Sequence, residues 1–566
     1  RLRTVTGVQT CALPICADFA VVADNHSAHL RELLIRRPHA HEAKPIRAED
    51  DPRMQHSPRA DKPFIAVNCA ALTETLRQRG AEVLRAPDQV IAIRLVADKP
   101  GKVSFTLGLD SPHKNCAVKV GSKNDLILTG RIRNTYNQFT ATNPLAFEAR
   151  LQVRADGGTL TTNGSTLIVN NANSATLILV AATSFKNYQD VSDNPARACE
   201  AALDHVKRKD WSALRAAQMK DHQTLFRRVS LDLGTSPNAA LPTDERLRLA
   251  PGTNDPGLAA LVFQYGRYLL ISCSRPGGEP ATLQGLWNDD LTPPWDSKYT
   301  CNINTEMNYW PAEPANLAEC ALPLFDALEE LAVSGRRTAL NHYNARGWVL
   351  HHNFDLWRGT APINRSNHGI WVTGGAWLCQ HLWWHYEFSG DEKFLRRAYP
   401  TMKEAAIFFA DFLIEDPRND KHWLISTPGN SPEQGGLVAG PTMDHQIIRD
   451  LFTHVIDASA ILGVDADLRA RLAGLRSRIA PNQIGQHGQL QGRAVEFGAG
   501  RGARQECRSQ QEAARRAPAR REGWICHGGL QDRWGRAQED DAGERTCRPP
   551  RYRRGIARRS EEHTSE

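Results

Sequence analysis

Hydrophobic and polar residues alternate along the stretch from residue 88 to residue 185. The alternation is clearest in Gln89–Asp110 and Thr159–Phe185, which are rich in β-branched residues and are interrupted by turn signals. Asn163-Gly164, within the second segment, is a typical hairpin turn. This pattern predicts an antiparallel β-sandwich domain.

After this stretch the apolar residues adopt the spacing of helices. Glu200–Arg228 predicts a helical connector, and a Pro- and Asp-rich break follows near residues 236–256. Asp255-Pro256 is typical of an N-cap followed by proline at the first helical position. The apolar residues of the helix that starts there fall on one face, at Leu258, Leu261, Val262, Tyr265 and Leu269.

Similar helical patterns recur along the rest of the chain, at Leu322–Ser334, Gly374–Phe388, Lys393–Ile414 and Asp444–Leu462. The connections between them are long and rich in Gly, Pro, Asn, His and Trp, whereas loops in a helical array are normally short. Long loops on a rigid scaffold often carry function. We therefore predict a toroid of helical hairpins with the functional site at its loop end.

Both ends of the chain differ from the middle. Residues 1–15 and 559–566 resemble translated sequencing-adapter DNA, and His56–Leu76 resembles part of the AAA+ domain of NtrC-type transcriptional activators. That fragment lacks a GxxxxGK[ST] loop, so it predicts no ATPase. Periodicity disappears from about Arg493, which fits DNA read out of frame. The alternative is a disordered arginine-rich arm that binds nucleic acid.

The net charge of +7 over 566 residues comes from that C-terminal tail. Residues 493–559 contain 17 Arg, 9 acidic residues and no Lys, so the rest of the chain carries a net charge of −1. The body therefore shows no charge signal for nucleic acid, and no apolar run approaches the roughly 18 residues of a membrane span. The twelve cysteines form no CxxC pair, which implies neither a structural zinc site nor a disulfide framework.

Tryptophan is concentrated in the helical part, where nine of the thirteen residues fall between positions 287 and 384. Trp377, Trp383 and Trp384 lie on a predicted helix and are expected to pack in the core. Four others lie in or beside loops, at Trp295, Trp310, Trp357 and Trp371. Flat apolar rings with polar edges suit a cleft that holds sugars, so these four are candidates for ligand contact as well as for core packing.

Loop carboxylates are the second signal, because glycoside hydrolysis needs an acid that protonates the leaving oxygen. In the inverting version a second group activates water about 6.5–9.5 Å away. The candidates are Asp289, Asp290, Asp296, Glu306, Glu313, Asp355 and Glu433. Spacing alone does not choose among them, although the Pro- and Gly-rich loop around Glu433 could direct one acid into a cleft.

Five segments of the middle resemble glycoside hydrolase family 95, the inverting 1,2-α-L-fucosidase family. They are LQGLWNDDLTPPWDSKYTCNINTEMNYWPAEPANLAEC (Leu283–Cys320), HHNFDLWRGTAPIN, WVTGGAWLCQHLW, STPGNSPEQ and MDHQIIRDLF. The resemblance covers residues of about 81 to 492. It implies an N-terminal β-sandwich, a helical linker, an α/α six-hairpin toroid and a C-terminal β domain.

The resemblance also implies roles for individual residues. Glu433 would be the general acid, and Asn302 and Asn304 would hold the attacking water while a downstream Asp supplies charge. Two amide oxygens can accept both protons of one water and direct its lone pair at the anomeric carbon. Thr300, Asp355, Trp371 and His352 are expected to contact the substrate, a fucosylated or L-galactosylated oligosaccharide or polysaccharide. No cofactor or metal is expected.

Two departures from the family pattern matter. Thr300 stands where fucose-preferring members have a His, so more room is left near C6 of the sugar and an α-L-galactoside becomes a plausible substrate. The second departure is that no His/Arg-rich sugar-binding motif or partner Asp follows Gln491. Part of the base machinery is therefore expected to be missing, with weak or absent activity.

We accordingly divide the chain into five parts: a foreign segment at 1–80, a truncated β-sandwich at 81–195, a helical linker at 196–250, a truncated α/α toroid that holds the catalytic residues at 251–492, and an out-of-frame tail at 493–566. The alternatives are a sugar phosphorylase, a non-catalytic glycan-binding remnant and a transcriptional regulator. The regulator would need a nucleotide-binding loop and a DNA-binding module, neither of which is recognised. The resemblance implies export to the bacterial periplasm or surface, and no signal peptide is recognised.

Overall fold

The computed structural model describes residues 87–113, 115–132, 145–283, 293–363, 369–431, 436–485 and 488–492, together with the backbone of three earlier strands. Antiparallel β-sheets come first along the chain and a helical region follows. The predicted fold class is therefore confirmed.

The sheets of the N-terminal part are antiparallel throughout. Their strands are β1 (Asp18–Ala23), β2 (Phe64–Val67), β3 (Ala81–Leu84), β4 (Ile91–Val96), β5 (Val103–Asp110), β6 (Cys116–Val120), β7 (Asp125–Arg131), β8 (Ala146–Asp156), β9 (Thr159–Asn163), β10 (Thr166–Ala172) and β11 (Ser174–Thr183). One sheet has the order β2-β1-β5-β10-β9 and the other the order β3-β4-β11-β8-β7-β6.

Strand alternation builds the core of this part. Successive side chains of a strand point to opposite faces. In β5 the alternate residues Val103, Phe105 and Leu107 are buried, and they pack with Phe147 and Leu151 of the other sheet in one hydrophobic cluster. The alternation in the sequence thus corresponds to a buried and a less buried face of the same strand.

The predicted hairpin is confirmed, with its turn one residue further along than the Asn-Gly pair suggested. Asn163 is the last residue of β9 and pairs with Thr166, so the two turn residues are Gly164 and Ser165. Gly164 has φ +58°, a left-handed conformation that glycine adopts without steric cost.

Two strands of this sheet come from the segment that the sequence suggested was foreign. The backbone of β1 pairs with β2 and with β5, from Asp18↔Asp110 to Ala23↔Phe105. The division at residue 80 therefore does not coincide with a boundary of the sheet. The origin of residues 1–80 stays a prediction.

The connector consists of two helices rather than the single helix predicted for Glu200–Arg228. They are α1 (Pro195–Val206) and α2 (Trp211–Phe226), separated where Asp210 caps the second helix by accepting a hydrogen bond from the Ala213 N–H. Leu203 and Val206 of α1 pack on Ile178 and Val180 of β11. The outer face of that sheet is thereby covered by the connector.

The helical region contains α3 (Thr243–Leu249), α4 (Pro256–Cys273), α5 (Asn304–Tyr309), α6 (Leu322–Tyr343), α7 (Gly374–Ser389), α8 (Glu392–Phe412), α9 (Thr442–Leu462) and α10 (Ala466–Arg478). Two short ribbons lie between them, β12 (Tyr299–Thr300) with β13 (Asn353–Phe354) and β14 (Ile414–Glu415) with β15 (Leu424–Ile425). One hydrophobic cluster joins the helices from α4 to α10. Within the described residues, no helix is long and apolar enough to cross a membrane.

The start of α4 is confirmed, but the apolar face predicted for it does not form a core. The Asp255 carboxylate accepts from the Leu258 N–H at 3.2 Å, as expected of an N-cap. Leu261, Val262, Tyr265 and Leu269 are nevertheless exposed, while the buried side of the helix carries Arg267. Periodicity identified a face of this helix and did not indicate that most of that face is exposed.

Arg267 is a buried anchor between α4 and the connector. Its Nη1 donates to the Phe226 carbonyl at 2.6 Å and its Nη2 to the Leu225 carbonyl at 2.9 Å, at the C-terminal end of α2. Its Nε donates to the Ala315 carbonyl at 3.1 Å in the loop before α6. One guanidinium therefore satisfies carbonyls that a helix end would otherwise leave without donors.

Replacing Arg267 by Met is expected to lower the free energy of unfolding by about 2–4 kcal/mol, because buried carbonyl groups lose their donors. Urea denaturation of both proteins measures this change. The exposed Arg337→Met, on α6, is the matched control and should stay within about 0.5 kcal/mol of the wild type. An equally small change in Arg267→Met would show that the anchor is not needed.

Candidate active site

A two-stranded ribbon presents the segment that contains Asn302. Tyr299 pairs with Phe354 and Thr300 with Asn353. The rings of Tyr299 and Phe354 stack with centroids 4.4 Å apart on one face of the ribbon, and both are buried. Paired residues of an antiparallel ribbon share a face, so Thr300 and Asn353 lie together on the other face.

Several buried oxygen atoms around this ribbon have no hydrogen-bond partner within the part of the chain that the structure describes. They are Oγ1 of Thr300, Oδ1 of Asn302, Oδ1 of Asn353 and both carboxyl oxygens of Glu306. More than nine in ten buried polar groups in native structures are paired. Oxygen atoms that could accept hydrogen bonds are thus without a partner here, which suits a ligand with several hydroxyl donors. We call them the open oxygen atoms.

The two asparagines of the candidate water site stand at the start of α5. Asn302 is buried just beyond the ribbon, where the Cys301 N–H donates to the His352 carbonyl at 2.7 Å. Asn304 is the first residue of α5 and is partly exposed. The ribbon and the helix start together fix the backbone on which both amides depend.

Glu306 lies one turn into α5 and is fully buried. Burial raises its pKa well above the ordinary value for a glutamic acid. Burial therefore favours the neutral form of this side chain, which has one O–H that can donate and one oxygen that can accept. It was one of several loop carboxylates in the sequence, and only burial separates it from the others.

Two adjacent histidines, His351 and His352, lie beside the ribbon, and His351 has a structural role. His351 is buried, with Nδ1 2.7 Å from the Thr360 carbonyl and Nε2 2.5 Å from the Tyr343 hydroxyl. Burial lowers the pKa of His351 to about 4, so its ring is neutral at pH 7. His352, the predicted substrate contact, is partly exposed next to Cys301. Its contact with substrate stays a prediction.

Asp355 and Trp371 both make contacts within the protein. Asp355 ties a turn, since its Oδ1 accepts from the N–H groups of Trp357 at 3.0 Å and Gly359 at 3.2 Å. Trp371 is buried and packs edge-on against Trp377, with centroids 6.2 Å apart. Both residues could therefore hold neighbouring segments of a site in place. Their contact with substrate stays a prediction.

The segment of Trp371 is nevertheless adjacent to the ribbon. Thr373 forms a parallel bridge with Leu350, two residues before His352. A Cβ on Gly374 would lie 2.6 Å from the His351 carbonyl oxygen and 3.3 Å from Cβ of Cys301. Only glycine allows α7 to start this close to both segments.

Asp444, in the first turn of α9, connects this arrangement to the loop that carries Glu433. It is buried and accepts hydrogen bonds from Thr373 Oγ1 at 3.2 Å and from Ser426 Oγ at 2.9 Å. A Cβ on Gly429 would come within 3.1 Å of its Oδ2. Asp444 was not among the predicted site residues, although it stands in the MDHQIIRDLF motif three residues after Pro441.

The environment of Asp444 determines its charge. Burial raises its pKa to about 7, against hydrogen bonds from Ser426 and Thr373 that lower it. The Trp371 indole also lowers the pKa, although its Nε1–H forms no regular hydrogen bond within the described residues. Asp444 is therefore about half protonated near neutral pH.

Glu433 itself lies outside the described residues, as do Asp289 and Asp290. The two sides of its loop are held together by a pair of backbone hydrogen bonds between Gly429 and Val438, at 3.2 and 2.9 Å. Further from the tip of the loop, the Gly440 N–H donates to the Ser426 carbonyl at 2.8 Å. The loop therefore starts and ends beside Asp444.

The contacts run in an unbroken series through five segments. The segment of Thr300 and Asn302 contacts residues 350–354, these contact residues 371–374, and these contact Asp444, which binds Ser426. This series brings the base of the Glu433 loop to the same end of the helical region as the open oxygen atoms. No group of His, Cys, Asp and Glu within the described residues could hold a metal ion.

Comparisons with known proteins give one consistent family. A model of the glycosyl hydrolase family 95 catalytic domain matches residues 210–515, and a model of the glycosyl hydrolase family 65 N-terminal domain matches residues 82–188. "Alpha-L-fucosidase 2" of Arabidopsis thaliana is 37% identical over 447 residues, which cover 73% of this chain and 53% of that protein. "Probable alpha-fucosidase A" of Aspergillus niger is 30% identical over 428 residues, 72% of this chain and 53% of that protein.

The chain spans about half the length of these curated relatives. Among solved structures, one provisionally named a kojibiose phosphorylase from human microbiome aligns at 10% identity with a TM-score of 0.47, over 73% of this chain and 56% of that chain. At that TM-score the alignment supports no conclusion about function.

Replacing Asp444 by Asn is expected to change how stability depends on pH. The pKa of Asp444 is about 7 when folded, against an ordinary 3.8, so the folded chain binds this proton more tightly than the unfolded chain. Wild-type stability should therefore fall by about 4 kcal/mol as pH rises from about 4 to 7, a loss that the amide does not share. Chemical denaturation at several pH values measures the difference between the two proteins.

The exposed Asp98→Asn controls for the substitution itself. A stability difference between Asp444→Asn and wild type that grows with pH over this window supports the raised pKa. A difference that stays constant from pH 4 to 8 contradicts it.

Proposed function

The chain belongs to glycoside hydrolase family 95, and we propose on that basis that it takes part in removing a terminal α-L-fucose or α-L-galactose from a glycan with inversion. Because the chain spans about half the length of its relatives, the activity of the whole protein is part of the proposal. The alternative of a phosphorylase has no observation in its favour.

The open oxygen atoms beside the ribbon are the observation that carries this proposal. Thr300, Asn302 and Asn353 offer buried acceptors that pair with nothing in the described residues. A sugar presents several hydroxyl donors, and leaving such acceptors without a partner costs about 1–3 kcal/mol each. Binding of a polyhydroxylated ring would recover that cost.

The proposed chemistry follows from the types of side chain. Glu433 would give its proton to the glycosidic oxygen as the bond to the anomeric carbon breaks. A water on the opposite face of the ring would attack while it donates hydrogen bonds to the amide oxygens of Asn302 and Asn304, and the proton that it loses would pass to the downstream Asp that the family resemblance implies. An amide is a poor base, so these residues orient the water rather than deprotonate it.

Asp444 supports this chemistry as a positioning residue. It binds Ser426 on one side and Thr373 on the other, so it holds the base of the Glu433 loop against the segment that contacts the ribbon. The acid and the water then keep a constant separation. This constancy matters because small displacements of reacting groups cost large factors in rate.

Replacing Glu433 by Gln is expected to lower release of L-fucose from a 1,2-α-fucosylated oligosaccharide by about 10²–10⁴-fold, because the leaving oxygen loses its acid. The exposed Glu392→Gln, at the start of α8, is the control and should leave the rate unchanged. NMR of the first product formed should show the β anomer, and the rate should not depend on phosphate.

Binding provides a second measurement that does not need turnover. Asn302→Ala should weaken binding of the fucosylated oligosaccharide, measured by calorimetry, if the open oxygens hold the sugar. A chain that neither releases nor binds the sugar, or an initial α anomer, would overturn the proposal. Release that requires phosphate would favour the phosphorylase.

Thr300 is proposed to set the preference between fucose and L-galactose. It is buried on the face of the ribbon that it shares with Asn353, and its side chain is smaller than the His of fucose-preferring members. Thr300→His is expected to raise the ratio of kcat/KM for fucoside over α-L-galactoside by about tenfold or more. Thr300→Ser keeps the hydroxyl and should leave the ratio nearly unchanged. An unchanged ratio in Thr300→His would show that C6 lies elsewhere.

A further inference from the structure

We propose that Trp295 and Trp357 form a platform that binds the sugar next to the terminal residue, so that the substrate is an extended glycan rather than a simple fucoside. This proposal rests on the proposed function and specifies its substrate class. We call these two residues the tryptophan platform.

The exposure of the two rings is the first observation. Trp295 is 68% exposed and Trp357 is 45% exposed, whereas Trp348 and Trp371 in the same region are fully buried. An indole that remains in water contributes no burial to the fold. Its flat apolar face suits the apolar face of a pyranose ring.

The two tryptophans belong to segments that leave the ribbon at the same end. Tyr299 pairs with Phe354 in the antiparallel direction, so the chain before Tyr299 and the chain after Phe354 leave the ribbon at the same end. Trp295 lies four residues before Tyr299, and Trp357 lies three residues after Phe354. The opposite end of the ribbon leads through Cys301 to Asn302.

The distance from the platform to the sugar site suits a neighbouring residue of a glycan. Four residues separate Asn353 from Trp357, which is at most about 14 Å of chain. Five residues separate Trp295 from Thr300, and a turn at Pro294–Ser297 shortens that path. A glycan whose terminal sugar contacts Thr300 and Asn353 would place its next residues over these rings.

Trp357 is held in position before any ligand binds. The Asp355 carboxylate accepts its backbone N–H at 3.0 Å. The next residue, Arg358, is buried between two carboxylates, 2.7 Å from Glu279 and 2.8 Å from Glu330. An anchored platform loses little conformational entropy on binding, which favours affinity.

The β-sandwich contributes to this anchoring. Phe185, two residues after the end of β11, meets the Trp357 ring edge-on with centroids 5.8 Å apart. The platform therefore combines the N-terminal sheets with the loops of the helical region. Asp355 supports the platform from the other side, since its carboxylate holds the turn that carries Trp357.

Trp295 is presented by an unusual backbone. Trp295, Asp296 and Ser297 all have φ of +53°, the left-handed region that residues other than glycine seldom adopt. Lys298 pairs with Asp296 at 2.6 Å across the turn. Such a conformation persists only when its surroundings maintain it, and it is typical of ligand-binding segments.

The test compares a fucosylated oligosaccharide with α-L-fucosyl fluoride, which has the same terminal sugar and no second sugar to stack. We expect the double variant Trp295→Ala/Trp357→Ala to lower kcat/KM on the oligosaccharide about tenfold or more, mainly through KM. Its kcat/KM on the fluoride should stay within about twofold of wild type. Phe388→Ala, an exposed aromatic residue at the end of α7, is the matched control.

Binding measured by calorimetry gives the same comparison without turnover. The double variant should bind the oligosaccharide about tenfold more weakly and free L-fucose unchanged, and Phe185→Ala should show part of the loss. Equal loss on both ligands, or no loss on either, would overturn the platform. Failure of the wild type to bind or cleave either ligand would instead overturn the proposed function.

Discussion

The pairing of Tyr299–Thr300 with Asn353–Phe354 is the constraint on which the candidate site depends. Two residues from each side form the ribbon, and they come from loops more than fifty positions apart. The stacked rings of Tyr299 and Phe354 bury one face, so the other face is left to Thr300 and Asn353. Without this pairing, the asparagines at the start of α5 and the tryptophans before and after the ribbon would not be fixed in position relative to one another.

Around the ribbon the protein buries titratable side chains, which an ordinary core avoids because their charged forms are costly to remove from water. Glu306 and Asp444 are buried acids with raised pKa values, and His351 is a buried base with a lowered one. In each case burial favours the neutral form. The site is thus rich in neutral polar groups, which bind a neutral sugar through hydrogen bonds without the desolvation cost of an ion.

Local sequence signals predicted much of the fold and less of the site. Strand alternation in β5 and the Asp255 cap of α4 depend on neighbouring residues, so they could be read directly. The exposure of Leu261 and Tyr265 could not, because periodicity identifies a face and not what covers it.

The site residues divide in the same way. Motif resemblance singled out Thr300, which shares a face of the ribbon with Asn353, and Asn302, which lies just beyond the ribbon, and each has a buried oxygen atom without a partner in the described residues. Asp444 was missed because its importance comes from partners 18 and 71 positions away. No local pattern records such contacts.

Two helices, α7 and α9, start beside Asp444, and their positive ends favour a carboxylate by about 0.3–1 kcal/mol each. Burial outweighs them, since the pKa of Asp444 is raised to about 7. A carboxyl group nearer to solvent at the same helix ends would feel the dipoles with less of the burial, so it would lose its proton more readily. A general acid has to carry its proton at the working pH, so it benefits from burial of the kind that raises the pKa of Asp444 and not from the helix dipoles.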